Sequence, residues 1–295
     1  MNSAPRFVLL GLLTLLSLGC AEDIVDREPV VVKGRVLMYE DGVAVEHLGP
    51  RPGVTVCYHH DSESVDTYLG DCVVSNEDGY YELGSVPYNS RVLLSYCDDE
   101  NCAYNYSAEP DSDAIVPTLR MLSTTDSKEL FMAIQTPVMS WRDMHSLAAT
   151  MKEEGLDDLS VANFLPPTKG LVQFFAVDAG DSPLSKVRVE IYLDQDRGEF
   201  FAGDEFEVDG EMVTLLEGVV YTPETGEPRD GLEETSSKGV GVLERIVPGK
   251  YGLKFYHSRL TEQSMFSDTG WDAGEYVEVK VVAGFMTAMV GVQFL

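Results

Sequence analysis

Ser75 to Tyr96, SNEDGYYELGSVPYNSRVLLSY, reads as a turn, a strand, a corner and a returning strand. Asn76-Glu-Asp-Gly79 signals the turn, because glycine tolerates positive φ and Asx side chains bond their own backbone. Tyr80, Tyr81 and Leu83 supply the aromatic and apolar side chains of a short strand. Val86-Pro87 ends its ladder, since proline has no N–H to give. Arg91 to Tyr96 then runs back. The same order returns at Ser236 to Tyr256, SSKGVGVLERIVPGKYGLKFY, where Gly239, Val240, Val242, Ile246, Val247, Pro248, Gly249, Tyr251, Leu253 and Phe255 fill the same roles.

Outward from these two stretches the repetition continues. Lys169-Gly-Leu-Val-Gln-Phe-Phe175 answers Lys33-Gly-Arg-Val-Leu-Met-Tyr39, and Ser182-Pro-Leu-Ser-Lys-Val-Arg-Val-Glu-Ile-Tyr192 answers the segment led by Pro52. In that segment Val54, Val56 and Tyr58 alternate with Thr55 and Cys57, the period-2 pattern of a strand with one buried face. Opening strand, Pro-led strand, Gly turn and Val-Pro corner recur in one order, which chance gives less readily than any single motif. The order resembles the carboxypeptidase regulatory-like, or transthyretin-like, domain, although Tyr88 stands where that pattern has a glycine after the proline. The resemblance implies an all-β chain of two tandem transthyretin/Ig-like β-sandwiches with one short helix at the junction. It implies no peptidase activity, because the family name comes from an accessory domain.

The expected organisation is a leader at 1–20, a tether at 21–29, a first sandwich at 30–139, a helical linker at 140–166 and a second sandwich at 167–295. Residues 117–139 hold strand-like runs, such as Glu129 to Gln135, that complete the first sandwich. Ser140 to Gly155 is a helix: Ser140 is the N-cap, Asp143 holds the capping-box position and Gly155 stops it. Trp141, Met144, Leu147, Ala148 and Met151 share one face at 3–4 spacing. An acidic insertion interrupts the second sandwich at 194–235. Tyr276–Val282 and Met286–Leu295 are its closing strands.

Met1 to Cys20 carries one early charge, Arg6, then an almost wholly apolar run from Phe7 to Leu18. That is too short to span a bilayer and fits a secretory h-region. Leu16-Ser-Leu-Gly-Cys20 resembles a bacterial lipobox, with Ser17 where a leucine is usual. The resemblance implies lipidation at Cys20, export, and sorting to the outer membrane of a bacterial envelope. The chain carries 50 acidic and 21 basic residues, a formal net charge of −29, which argues against nucleic acid and against direct adhesion to anionic lipid as partners.

With Cys20 set aside, Cys57, Cys72, Cys97 and Cys102 remain, and an even number in an exported chain favours disulfides. Of the three pairings, Cys57–Cys72 and Cys97–Cys102 are favoured; a metal site with His59 and His60 fits tetrahedral spacing badly. The one cofactor the sequence raises is Ca²⁺, at Asp194, Asp196, Asp204 and Glu205. Counted from Asp194, Glu205 stands twelfth, where a bidentate ligand belongs, but Gly198 and Glu199 break the EF-hand order. A solvated acidic hairpin explains the same residues. There is no nucleophile elbow, His-Glu-x-x-His or phosphate loop. The sequence therefore reads as a non-enzymatic, lipid-anchored envelope protein that offers its modules to a protein or glycan partner, or as a calcium-stabilised accessory module of an envelope assembly or secreted hydrolase.

Overall fold

The computed structural model describes residues 29–40, 47–60, 72–88, 90–99, 101–102, 105, 107, 109–124, 134–153, 165–178, 182–193, 199–200, 205–208, 211–214, 218–221, 234–257, 265–267, 271–272 and 277–294. The β-branched and aromatic runs of the first half form β1 (Val30–Met38), β2 (Thr55–His60), β3 (Val73–Val74), β4 (Tyr80–Val86), β5 (Arg91–Cys97), β6 (Thr118–Ser123) and β7 (Ile134–Val138). Helix α1 (Trp141–Glu153) follows. The second half forms β8 (Gly170–Val177), β9 (Val187–Leu193), β10 (Glu199–Phe200), β11 (Glu205–Val208), β12 (Glu211–Thr214), β13 (Gly218–Tyr221), β14 (Val240–Ile246), β15 (Gly249–His257), β16 (Met265–Ser267), β17 (Trp271–Asp272), β18 (Val277–Val281) and β19 (Met286–Phe294).

The strands build two sandwiches of one plan. In the first, β4-β1-β7 faces β3-β2-β5-β6 across a core that holds Val32, Val36, Val56, Leu83 and Leu94. In the second, β13-β14-β8-β19 faces β10-β9-β15-β18-β17 across Val172, Phe174, Leu243, Leu253 and Val279. Each opening strand pairs antiparallel with the strand after the Gly turn and parallel with the last strand of its module. The all-β, two-sandwich architecture expected from the repeat is the one observed.

The repeat extends to single hydrogen bonds. Val36 N–H donates to Gly79 O at 2.8 Å, and Ala176 N–H to Gly239 O at 2.7 Å. Both glycines need positive φ, +77° and +67°, and a Cβ at either would sit 2.5 or 2.4 Å from that partner's carbonyl oxygen. The turn is therefore closed to other residues. Ser75 and Thr235 are a second matched pair. The Ser75 hydroxyl accepts from Val54 N–H at 3.0 Å and donates to Arg51 O at 3.0 Å. Thr235 accepts from Val187 N–H at 3.0 Å and donates to Leu184 O at 2.9 Å. Each hydroxyl clasps the start of the Pro-led strand to the turn.

These bonds correct the sequence alignment of the opening strands. Val36 matches Ala176, so Lys33-Gly34 does not answer Lys169-Gly170; the strands are offset by four further residues. Likewise Pro183 answers Pro50, not Pro52: Leu37 bridges Pro50 as Val177 bridges Pro183. The shared Lys-Gly pair misled because Gly34 lies in mid-strand under Tyr81, whereas Gly170 opens its strand beside Val281 and Val282.

The corrected register shows an exchange of partners. Gly34 pairs with Tyr81 across β1 and β4; at the same place in the second module Phe174 pairs with Gly241. One aromatic ring fits between the sheets there, and the opposite residue must then lack a side chain. Tyr81 meets Tyr96 edge-on at 5.8 Å between centroids, and Phe174 meets Phe255 edge-on at 5.2 Å. A Cβ on Gly34 would lie 2.3 Å from Tyr81 Oη and 2.7 Å from Ile134 O. Gly34→Ala is expected to cost about 1–3 kcal/mol, the range for overpacking a filled core; a denaturant midpoint unchanged from the parent would contradict the exchange.

The modules meet in one continuous sheet. β19 runs beside β6 in parallel, pairing Met286 with Thr118 and Thr287 with Leu119, and gives the order β13-β14-β8-β19-β6-β5-β2-β3. β16 extends the same edge of β19 from Met265 to Ser267. Leu93 and Met121, on the outer face of the first module, join the core of the second.

Helix α1 lies on the outer face of β14-β8-β19. Trp141, Met144, Leu147 and Ala148 pack against Leu171, Phe175, Val240, Val242 and Met286, with Tyr39, Val116 and Met139 from the first module. The expected apolar stripe is the buried one, save that the side chain of Met151 lies outside the described residues, as does Gly155. The capping box is present: Asp143 N–H donates to Ser140 Oγ at 3.1 Å, and Ser140 N–H donates to Asp143 Oδ2 at 3.2 Å. With the helix on one side and the sandwich core on the other, β8 is buried on both faces. This is why Gly170-Leu-Val-Gln-Phe-Phe-Ala-Val177 lacks alternation, as strands covered on both faces do.

Candidate functional site

Three polar constellations lie among the described residues, each placed by strand register. The first is inside the first sandwich. Tyr81 and Tyr96 bring their hydroxyls to 2.8 Å, Thr136 donates to Tyr96 Oη at 3.0 Å, and the buried Arg120 donates from Nη1 to Thr136 Oγ1 and to Gln135 O. Burial pushes the Tyr81 phenol well above its usual range, with a further upward push from Tyr96; burial also raises Tyr96. Both phenols stay protonated at neutral pH, so the cluster holds no base there. It couples three strands, β4, β5 and β7, through buried hydroxyls.

The second is His59 with Ser95. His59 Nε2 lies 2.9 Å from Ser95 Oγ, and both residues are buried. Cys57, one pleat away, is joined to Cys72 by a disulfide. That is the expected pairing, and it leaves Cys57 unavailable to a metal shared with His59. A buried Ser–His contact closed to solvent acts as a strand-to-strand tie.

The third secures the start of α1. Cys97 and Cys102 are disulfide-bonded and buried beside Leu119 and Phe285, where β6 meets β19. The loop they close presents Asp98, whose Oδ2 accepts from Ile115 N–H at 2.9 Å and from Asn105 Nδ2 at 3.3 Å. Asn105 Oδ1 accepts from Trp141 Nε1–H at 2.9 Å. His145 Nε2 lies 2.9 Å from Ser107 O, and Trp141 N–H donates to Ala114 O at 2.8 Å. Partial burial raises the Asp98 pKa, while the Ile115 amide opposes the rise. The disulfide loop, helix N-terminus and β6–β19 joint are thus one connected region. Sequence reasoning treated the cysteines and the helix separately, because nothing local links residue 98 to residue 141.

The expected calcium residues Asp194, Asp196 and Asp204 lie outside the described residues, as does Cys20. Glu205 begins β11, which pairs with β12 from Glu205–Thr214 to Val208–Glu211. Among the described residues no group of three metal-capable side chains converges, and no helix is long and apolar enough to cross a membrane.

No family model matches this sequence, and no curated protein matches it. Among solved structures, the chain is similar to GBS52, the minor pilin of Streptococcus agalactiae, at 11% identity over 90% of this chain and 96% of that one, with a TM-score of 0.26. It is also similar to a streptococcal ancillary pilin, at 12% identity over 89% and 69% with a TM-score of 0.24. A third is the shaft pilin SpaA of Lactobacillus rhamnosus GG, at 10% identity over 90% and 100% with a TM-score of 0.22. The fold assignment rests on the strand pairing given above, not on these likenesses.

Proposed function

We propose that this chain is a non-enzymatic envelope protein, exported and held at a bacterial outer membrane by a lipid on Cys20. Its two modules, of the carboxypeptidase regulatory-like kind, present their open faces and loops to a protein or glycan partner. The observation that carries this reading is the fate of the polar groups. Tyr81, Tyr96, Thr136, Arg120, His59 and Ser95 are spent on ties between strands, and Asp98, Asn105 and Trp141 on fixing the helix. The chain invests in rigidity, through a sheet shared by both modules, which suits presentation of a surface at a fixed distance from an anchor.

The test is fractionation of the producing cell. Cys20→Ala, or globomycin treatment, should move the protein from the membrane fraction to the soluble one. Retention in the membrane after either would refute the anchor. Capture of envelope components on the lipid-free protein then identifies the partner.

A further inference from the structure

The first module leaves open a place that its counterpart in the second module buries. The bonds of Gly79 and Gly239 match Val36 with Ala176, so Arg35 corresponds to Phe175 and Tyr80 to Val240. Phe175 and Val240 pair across β8 and β14 and lie under α1, 2% and 5% exposed. Arg35 and Tyr80 pair across β1 and β4 at the same place. Yet Tyr80 is 52% exposed, one of two exposed large apolar side chains among the described residues.

One row of side chains crosses this face. Val32, Val36, Tyr81, Leu83, Ile134 and Val138 belong to the core, so the residues alternating with them point outward. Tyr80 stands beside Arg35, and Arg35 beside Gln135. Arg35 is fixed from two sides: its Nε–H donates to Asp78 O at 2.9 Å, and its guanidinium lies over the Tyr80 ring at 5.3 Å from the centroid. Arg35 Nη1 and Nη2 and the side-chain amide of Gln135 have no hydrogen-bond partner among the described residues. The next row, Lys33 with Glu82, is closed by an ion pair at 2.9 Å. One plan thus uses this row once to seat a helix and once to display an aromatic ring, a guanidinium and an amide.

We infer that this row binds an uncharged linear glycan. A sugar ring has an apolar C–H face, which matches the exposed Tyr80 ring, and a rim of hydroxyls, which matches the guanidinium donors and the amide of Gln135. The charge balance selects a neutral ligand. Lys33 and Glu82 offset each other, the remaining Arg35 disfavours a cation, and the chain's net −29 disfavours an anion. The size of the face selects against a protein. The seven residues of β4 and the three strands span about 24 Å by 14 Å, roughly 340 Å². That is less than half of the ~800 Å² that each partner gives to a stable protein interface, and a lone tyrosine supplies no apolar centre for one. A glycan lying across the strands meets Tyr80, Arg35 and Gln135 in turn, over about 10 Å. This inference rests on the presenting role proposed above and gives it a partner class, and it is tested without the anchor.

The lipid-free protein (Cys20→Ala, leader removed) is titrated with maltohexaose, cellohexaose, xylohexaose and chitohexaose. Binding of at least one is expected, with an affinity that salt hardly changes, since no ligand charge is screened. Tyr80→Ala should lower that affinity about ten-fold or more while the melting temperature holds, because the side chain is exposed. Tyr80→Phe keeps the ring and should stay within about two-fold of the parent. Arg35→Ala should weaken binding about ten-fold by removing the charged donors. Tyr256→Ala removes the ring under Arg188 on the second module, a similar pair outside this row, and should alter affinity less than about two-fold. Failure of the parent to bind any of the four sugars overturns the inference, as does an equal loss with Tyr256→Ala or none with Tyr80→Ala. Capture of an envelope protein that Tyr80→Ala abolishes, with no sugar bound, assigns the face to a protein and overturns it too. Because lipidation plays no part in the titration, failure here leaves the anchor standing, and retention of Cys20→Ala in membranes leaves the row standing.

Discussion

Deleting Met286 to Leu295 is expected to abolish folding of both modules, not only the second. β19 supplies the inner partner of β8 over Met286–Gln293 and lies beside β6 at Thr118 and Leu119. Met286, Thr287, Ala288 and Met289 are all at or below 1% exposed. Returning the two methionines and the alanine to water forfeits roughly 4–7 kcal/mol of apolar burial, before the unpaired ladders on either side are counted. A domain is stable by only about 5–15 kcal/mol in total, so the loss is comparable to the whole. It falls also on the first module, whose β6 loses the pairing of Thr118 and Leu119 with Met286 and Thr287. Expression of the truncated chain with limited proteolysis checks this. A soluble product containing a protease-resistant first module would show that the joint is incidental.

Trp141→Ala has the second largest expected effect, about 3–5 kcal/mol, the range for removing a large buried aromatic from a core that relaxes only in part. Trp141 is fully buried between the helix, the outer face of β14-β8-β19 and residues 116 and 139 of the first module. Its indole N–H adds the bond to Asn105, worth about 1 kcal/mol net. Asn105→Ala separates the two contributions, because it removes the bond and leaves the ring. Denaturant melts of both variants should place Trp141→Ala well below Asn105→Ala. Equal midpoints would mean that the hydrogen bond, not the packing, holds the helix down.

The parts of this architecture that were legible in the sequence are the local ones. The Gly turn at Gly79 and Gly239 and the Val-Pro corner declare themselves through backbone chemistry that few residues share. The capping box at Ser140 and Asp143 does the same within four residues. The Cys57–Cys72 pairing follows from two strand ends and one loop. What stayed hidden was pairing between distant segments. Periodicity tells which residues share a face but not which strand lies alongside, so matching the opening strands on their shared Lys-Gly sets them four residues from the register that the Gly79 and Gly239 bonds define. The parallel contact of β19 with β6 has no turn to announce it. β13 lies inside the stretch expected as an acidic insertion, yet Gly218–Tyr221 pairs with Gly241–Glu244 and shields the edge of β14. The unbroken apolar run of β8 requires cover on both faces, and α1 supplies it on one of them.

The candidate site shows the same division. The buried hydroxyls of Tyr81, Tyr96 and Thr136 lie 15 and 40 residues from one another in pairs, and only the register of β4, β5 and β7 brings them together.

Scanning calorimetry of the lipid-free chain tests most directly whether two like sandwiches share one sheet and so form one body. A single transition whose calorimetric and van't Hoff enthalpies agree is expected, shifted as a whole by Trp141→Ala. Two separated transitions, with Trp141→Ala moving only the one that belongs to the second module, would contradict it.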